Sequence, residues 1–263
     1  MSTIVFLGGG RITSAMLAGL CLRKSRHRLV VHDRNAGRLR DVKKQYGVAV
    51  EPDLNRAVKQ SDLFIVAVRP SSVRDLLLSI GKVRQPRLAV SLAAGVPLRL
   101  LRKLAAPPVR WARAMPSPVC RSGRGLTAVT YSRNLTQSDR KRIHDLFAAF
   151  GQVVEIPERK FDAFTVTYSC SHGYHALATL ARAAQSAGLD RKTALLASAH
   201  ALADGILAWR GGSHSLESLL EEAVTPGGIA VAAATAMDAG GYGRAVRQGV
   251  AAGLRRARAN AGK

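Results

Sequence analysis

Blocks of apolar residues alternate with blocks of helical spacing over the first 157 positions. An apolar run at 3–7 meets three glycines, and a helical pattern follows at 11–22. Leu29-Val30-Val31-His32-Asp33 reads as a strand, 36–46 as a charged helix, 48–50 as a short strand and 53–60 as a helix. Residues 62–68 form a strongly apolar strand that Arg69-Pro70 stops. A helix at 71–80 and a strand at 88–92 come next. Strands fit 109–112 and 126–131, Thr136 caps a helix running to 149, and 152–156 reads as a last strand. Strands that are apolar along their length, with helices between them, are covered on both faces. That predicts a parallel sheet in a doubly wound α/β domain.

The pattern changes at Ile156-Pro157-Glu158. Strand-like runs stop, and Ala/Leu-rich stretches of helical spacing take over at 160–187, 190–209, 214–224, 228–238 and 242–258. Two domains are therefore expected: a Rossmann domain over 1–157 and an all-α domain over 158–263. Segments such as Ala176-Leu177-Ala178-Thr179-Leu180-Ala181 are apolar on more than one face. About a hundred residues cannot cover such helices alone. A homodimer or higher homo-oligomer through this half is expected.

Charge adds a question. Forty Lys and Arg stand against 17 Asp and Glu, a net charge of +23, and such excess suits nucleic acid. The basic residues are spread over most of the chain, however, and aromatics make up only 5%, which leaves little to stack bases on. The charge reads as solvated surface that also attracts anionic metabolites, and nucleic acid is not expected as the partner. There is no run of about 18 uncharged apolar residues, so no membrane span is expected. The first residues lack a basic start and a cleavage site, which points to the cytoplasm. Cys21, Cys120 and Cys170 lie far apart, and the seven histidines have no ligand spacing. Neither a disulfide nor a metal site is expected, and Cys21 and Cys120 read as small buried thiols.

The glycines carry the first chemistry. Gly8-Gly9-Gly10-Arg11-Ile12-Thr13 follows a strand and opens a helix, and Asp33 closes the second strand. Gly8 permits a tight turn, Gly10 lets the backbone approach a pyrophosphate, and the helix start, with Arg11 and Ile12, supplies N–H groups. Thr13 stands where Gly or Ala is usual. Asp33 suits the ribose 2′-hydroxyl of NAD, whereas Arg34, with Arg38, suits the 2′-phosphate of NADP. NADP is favoured, with NAD as the alternative.

Several stretches together resemble the pyrroline-5-carboxylate reductase family over nearly the full length. They are Phe6-Leu7-Gly8-Gly9-Gly10, Val66-Ala67-Val68-Arg69-Pro70, Val90-Ser91-Leu92-Ala93-Ala94-Gly95-Val96, Arg113-Ala114-Met115-Pro116, Gly123-Arg124-Gly125-Leu126-Thr127-Ala128, Thr225-Pro226-Gly227-Gly228 and Gly240-Gly241-Tyr242. The resemblance implies a Rossmann domain, a helical dimerisation domain and NAD(P)H-dependent reduction of a cyclic imine, with L-proline as the family product. It implies that Val68, Arg69 and Pro70, then Ala93, Ala94 and Gly95, hold the nicotinamide side of the cofactor. Met115, Pro116 and Ser117 match a substrate loop, with Ser117 in place of the family Asn. Thr225 matches a hydroxyl position, and the backbone at Gly227 and Gly228 matches the carboxylate-binding helix start. Ala230 replaces a Thr that bonds the substrate. The family's Ser-Gly-Ser-Gly-Pro-Ala-Tyr segment is represented by Ser169-Cys170-Ser171-His172-Gly173-Tyr174-His175, where Cys170 and His172 replace glycines. His172 is either a new proton donor or a group that fills altered pocket space. Thr225 and His172 are thus the catalytic candidates. The alternatives to proline formation are a reductase of another small substrate and a dinucleotide-binding protein without catalysis.

Overall fold

The computed structural model describes residues 2–81, 83–105, 107–223 and 225–261. An eight-stranded sheet carries the first half: β1 (Thr3–Leu7), β2 (Arg28–His32), β3 (Ala49–Val50), β4 (Leu63–Val66), β5 (Arg87–Ser91), β6 (Val109–Met115), β7 (Gly125–Tyr131) and β8 (Gly151–Glu155). The spatial order is β3-β2-β1-β4-β5-β6-β7-β8. The first six strands run parallel, and β7 with β8 runs opposite to them. The chain steps outward from β1 in both directions. The strand order reverses between β1 and β4, and sheets of this kind bind ligands at the carboxyl ends of the strands beside such a reversal.

Helices α1 (Arg11–Leu22), α2 (Ala36–Tyr46), α3 (Leu54–Gln60), α4 (Val73–Ser79), α5 (Leu98–Leu104) and α6 (Gln137–Ala148) connect the strands. Successive strand residues point to opposite faces. Ile4 and Phe6 enter one core with Met16, Leu39 and Phe147, whereas Val5 and Leu7 enter the other with Ala57, Leu77 and Trp111. The helix starts follow local chemistry. Asn35 Oδ1 accepts from Arg38 N, Asp53 Oδ1 from Arg56 N, and Thr136 with Asp139 forms a capping box.

By compactness the chain divides into Met1–Ser169 with Gly253–Lys263, and Cys170–Ala252. The first unit includes α7 (Glu158–Ser169) and the end of α12 (Tyr242–Ala261). The second contains α8 (His172–Ser186), α9 (Arg191–Gly211), α10 (Leu216–Ala223), α11 (Ile229–Ala239) and the start of α12. Within it α8 packs on α9. Among its described residues only Ala181, Ala194 and Ser198 are buried.

Three local expectations need correction. The helix expected over 160–187 is broken between α7 and α8, where Ser171 takes a left-handed φ of 59°. Helix α5 was not anticipated, because its seven residues lie between prolines and are too few to establish a period. Cys21 is exposed near the end of α1; only Cys120 is buried.

Candidate active site

Parallel pairing places the carboxyl ends of β1, β4, β5 and β6 along one sheet edge. Four loops emerge there. In the first, Gly8 has φ +114°, and a Cβ on it would lie 2.7 Å from the Ala67 carbonyl oxygen. No other residue type fits that turn without displacing β4. Gly10 starts α1 from extended backbone. No side chain caps this helix, no acidic residue sits in its first turn, and a Cβ on Gly10 would meet nothing within 4 Å. The N–H groups of the first turn, Arg11 and Ile12 among them, have no intrahelical acceptor. This open, positively polarised cradle fits a phosphate. Thr13 is buried, and its hydroxyl donates to the Gly8 carbonyl oxygen at 2.5 Å. Its extra bulk over Gly or Ala thus braces the turn.

Asp33 closes the cradle. Its Oδ2 accepts from Gly9 N and its Oδ1 from Asn35 N, both at 2.8 Å. The Arg38 guanidinium lies 3.6 Å from Oδ2. Each carboxylate oxygen therefore already holds a backbone donor, while Arg34 beside it is exposed.

The second loop leaves the sheet at Val66. Val68 lies over Gly8, and exposed Arg69 precedes a short turn at Pro70–Ser72. In the third loop Ala93 is buried, Ala94 is half-buried and Gly95 has φ +74°. A Cβ on Gly95 would fall 2.1 Å from the Ala257 carbonyl oxygen, so the last turns of α12 rest directly on this loop. Asn260 Nδ2 donates to the Ala94 carbonyl oxygen at 3.2 Å.

Met115, Pro116 and Ser117 of the fourth loop are all buried. Met115 clusters with Ala128 and Phe161, and Ala94 and Phe164 pack against them. Ser117 Oγ donates to the Tyr168 hydroxyl at 3.2 Å, and Leu126 N donates to the same hydroxyl at 2.7 Å. Two positions upstream of Met115, Arg113 is 2% exposed and bonds Asp162 at 3.0 Å and Glu158 at 3.4 Å, with its guanidinium 4.3 Å from the Phe161 ring centre. This charge cluster fastens α7 to β6. Glu158 also accepts from Leu98 N at 2.6 Å, which ties in α5. Cys120, in the turn after Ser117, has its thiol pushed up to about 11 by burial. It stays protonated and unreactive at neutral pH.

The remaining candidates lie in the helical unit. Thr225, Pro226 and Gly227 are exposed, Gly228 N donates to the Thr225 carbonyl oxygen at 2.9 Å, and Gly228 opens α11 with no side-chain cap. Ala230 is exposed in the first turn of that helix. His172 is exposed at the start of α8, apart in sequence from the Thr225 loop. Among the described residues no cluster of His, Cys, Asp or Glu could hold a metal ion, and no helix is long and apolar enough to cross a membrane.

Tyr168 and Asn260 lie outside every motif of the sequence, and Arg113 opens a family-matching stretch that implies no role for it. A signal existed only for Arg113: a charge inside the apolar strand Val109–Met115, matched by acids four residues apart at Glu158 and Asp162. Nothing local marks Tyr168 or Asn260, whose partners lie 42 and 166 residues away.

Comparison with known proteins agrees with this architecture. The family model for "NADP oxidoreductase coenzyme F420-dependent" matches residues 3–95, and that for "Pyrroline-5-carboxylate reductase dimerisation" matches residues 158–260. The pyrroline-5-carboxylate reductase of Synechocystis sp. is 29% identical over 255 residues, covering 95% of both chains. That of Arabidopsis thaliana is 29% identical, covering 96% of this chain and 93% of its own. The crystal structure of Plasmodium falciparum pyrroline carboxylate reductase with NADP bound superposes with a TM-score of 0.89 at 20% identity, over 99% of this chain and 98% of that one.

Proposed function

We propose that the chain is a member of the pyrroline-5-carboxylate reductase family, to which its second half and its relatives are similar, and that it reduces pyrroline-5-carboxylate to L-proline with NADPH. The observation that carries this reading is the open glycine cradle at the uncapped start of α1, set on the same sheet edge as the three loops that follow β4, β5 and β6. Residues 1–157 form the dinucleotide-binding part and 158–263 the substrate-binding and dimerising part.

Gly8, Gly10, Arg11 and Ile12 hold the pyrophosphate. Asp33 braces the cradle from below, and exposed Arg34 pairs with the 2′-phosphate, which favours NADP over NAD. Val68, Arg69, Pro70, Ala93, Ala94 and Gly95 border the nicotinamide. Small side chains at Ala93 and Ala94 leave the ring room on this edge, whereas Gly95 makes room for the end of α12. Bound NADPH supplies the hydride. The protein supplies position, which for an electrophilic imine carries most of the rate.

On the substrate side, Met115, Pro116 and Ser117 shape the pocket. The N–H groups at Gly227 and Gly228 take the carboxylate, and Thr225 adds a hydroxyl. Ala230 removes the family hydroxyl from α11. Thr225 and His172 are the catalytic candidates that the helical unit contributes.

The helical unit forms the homodimer interface. Ile206, Leu207 and Trp209 on α9 expose 55%, 60% and 43% of their surface, and a partner's matching face would cover them. The reading also places the protein in the cytoplasm, where exposed thiols at Cys21 and Cys170 stay reduced.

The test is NADPH oxidation followed by absorbance with pyrroline-5-carboxylate, with L-proline identified as the product. Tight NADPH binding without turnover at saturating substrate would overturn it. Turnover of a different cyclic imine would then favour a reductase of another substrate.

A further inference from the structure

We propose that the Tyr168 hydroxyl is the proton donor to the substrate's imine nitrogen. This deepens the reductase reading above and rests on it. Ser117 and Tyr168 carry two hydroxyl protons. Ser117 donates one to Tyr168 at 3.2 Å, and each oxygen also accepts a backbone N–H: Leu126 N reaches Tyr168 at 2.7 Å and Val119 N reaches Ser117 at 3.4 Å. The phenol oxygen thus accepts twice. Its own proton meets no acceptor among the described residues, and it is the one left to donate outward.

Location gives that proton a use. Ser117 ends the Met115–Pro116–Ser117 loop. The Tyr168 ring lies 5.4 Å from that of Phe164. Phe164 in turn packs with Ala94 against the Met115 cluster. Tyr168 is therefore joined by contact to the loops assigned to the nicotinamide and the substrate. Leu126 N and Ser117 fix its oxygen from two sides, the preorganisation a donor needs.

An imine nitrogen carries a lone pair that accepts such a bond. As its carbon takes the hydride, the C=N π pair moves to nitrogen and binds the proton. The Tyr168 O–H bond breaks while the N–H bond forms. Water then returns a proton to the phenolate. The carbon is reduced, the nicotinamide is oxidised, and the hydroxyl lost at Ala230 is replaced in function.

The experiment compares Tyr168→Phe and Ser117→Ala in the full chain. For Tyr168→Phe we expect kcat to fall by about 100-fold, the scale of general acid catalysis. L-proline should bind the NADP+ complex less tightly by calorimetry, and NADPH affinity should hold within about twofold. Ser117→Ala loosens the same loop but leaves Tyr168 its proton, so its kcat should fall by less than about tenfold. Wild-type kcat and L-proline affinity in Tyr168→Phe would overturn the proposal and leave the reductase reading intact. A loss of kcat matched by an equal loss of NADPH affinity would make Tyr168 a structural prop and overturn it too. A wild-type protein that neither turns over the imine nor binds L-proline would remove the reductase reading, and this proposal with it.

Discussion

Leucines in the two units meet different fates. In the sheet-bearing unit Leu7, Leu17, Leu20, Leu63 and Leu88 expose at most 2% of their surface, whereas in the helical unit Leu195, Leu196, Leu207 and Leu220 expose 49% to 60%. The residue type is the same and so is its affinity for an apolar surround. What differs is the covering layer. The sheet has helices on both faces of its central strands, so each strand residue finds a neighbour whichever way it points. The long helices α8 and α9 mainly have each other. Fully burying one leucine contributes about 1.5–3 kcal/mol, so four half-exposed ones leave several kcal/mol to be gained from a partner surface. The sheet-bearing unit is built to be complete in its core, and the helical unit to be completed.

The sharpest way to break this contrast is to charge the open face. Leu196→Glu with Leu207→Glu should weaken the proposed dimer by about 10⁴-fold or more, since a two-fold interface loses four leucine burials at once. Light scattering at falling concentration reads the change. NADPH affinity should move by less than about threefold if the cofactor cradle is closed within its own unit. A parallel collapse of cofactor binding would show that the units do not act separately. The converse change is Gly8→Ala. At φ +114°, with the Ala67 carbonyl oxygen 2.7 Å from the new Cβ, NADPH should bind about 100-fold less tightly by calorimetry while the oligomer persists.

A third test stays inside the closed unit. Arg113→Ala leaves Glu158 and Asp162 without their cation at the seam of β6 and α7. The two acids left behind are 37% and 29% exposed, so water takes up part of the loss and the cost should be about 1–3 kcal/mol, which urea unfolding would register. Arg34→Ala acts at the rim and should weaken NADPH about tenfold while leaving NADH unchanged. A further effect lies in the alkaline range. Burial pushes the Cys120 thiol from 9.0 to about 11. Below pH 9.0 the thiol is protonated in both folded and unfolded chains. Between pH 9.0 and about 11 the unfolded chain releases the proton more readily. Stability from this group is therefore lost as pH rises through that window. Cys120→Ala should flatten the decline in unfolding free energy measured across it.

Much of this molecule was legible in its sequence for a physical reason. Apolar runs such as Leu63–Val66 can be satisfied only by cover on both faces, and that cover is the doubly wound sheet. Once the strands are parallel, their carboxyl ends share an edge, so the loops at Gly8, Val68, Ala93 and Met115 had to be neighbours. Spacing could not show how the polar groups divide among partners. Asp33 reads as a ribose ligand, yet both its oxygens hold backbone N–H groups of the glycine loop and the following turn. Ser117 reads as a shortened Asn, and its partner is a tyrosine 51 residues away. The break at Ser171 was hidden because no glycine or proline marks it, and a serine in left-handed geometry is rare. Long-range packing decided each of these.

The seat of α12 on Gly95 sets an order of events during synthesis. The loop is laid down early, but the Ala257 backbone that closes over it emerges from the ribosome 162 residues later. The nascent sheet can form strand by strand, while the loop after β5 stays uncovered until the helices at 172–239 have already been made. A fragment cut before α12 would keep its glycine cradle and lose the Ala257 and Asn260 contacts on Ala94 and Gly95. The covered state of this loop is thus a late, whole-chain property, whereas the glycine turn at Gly8 is a local one.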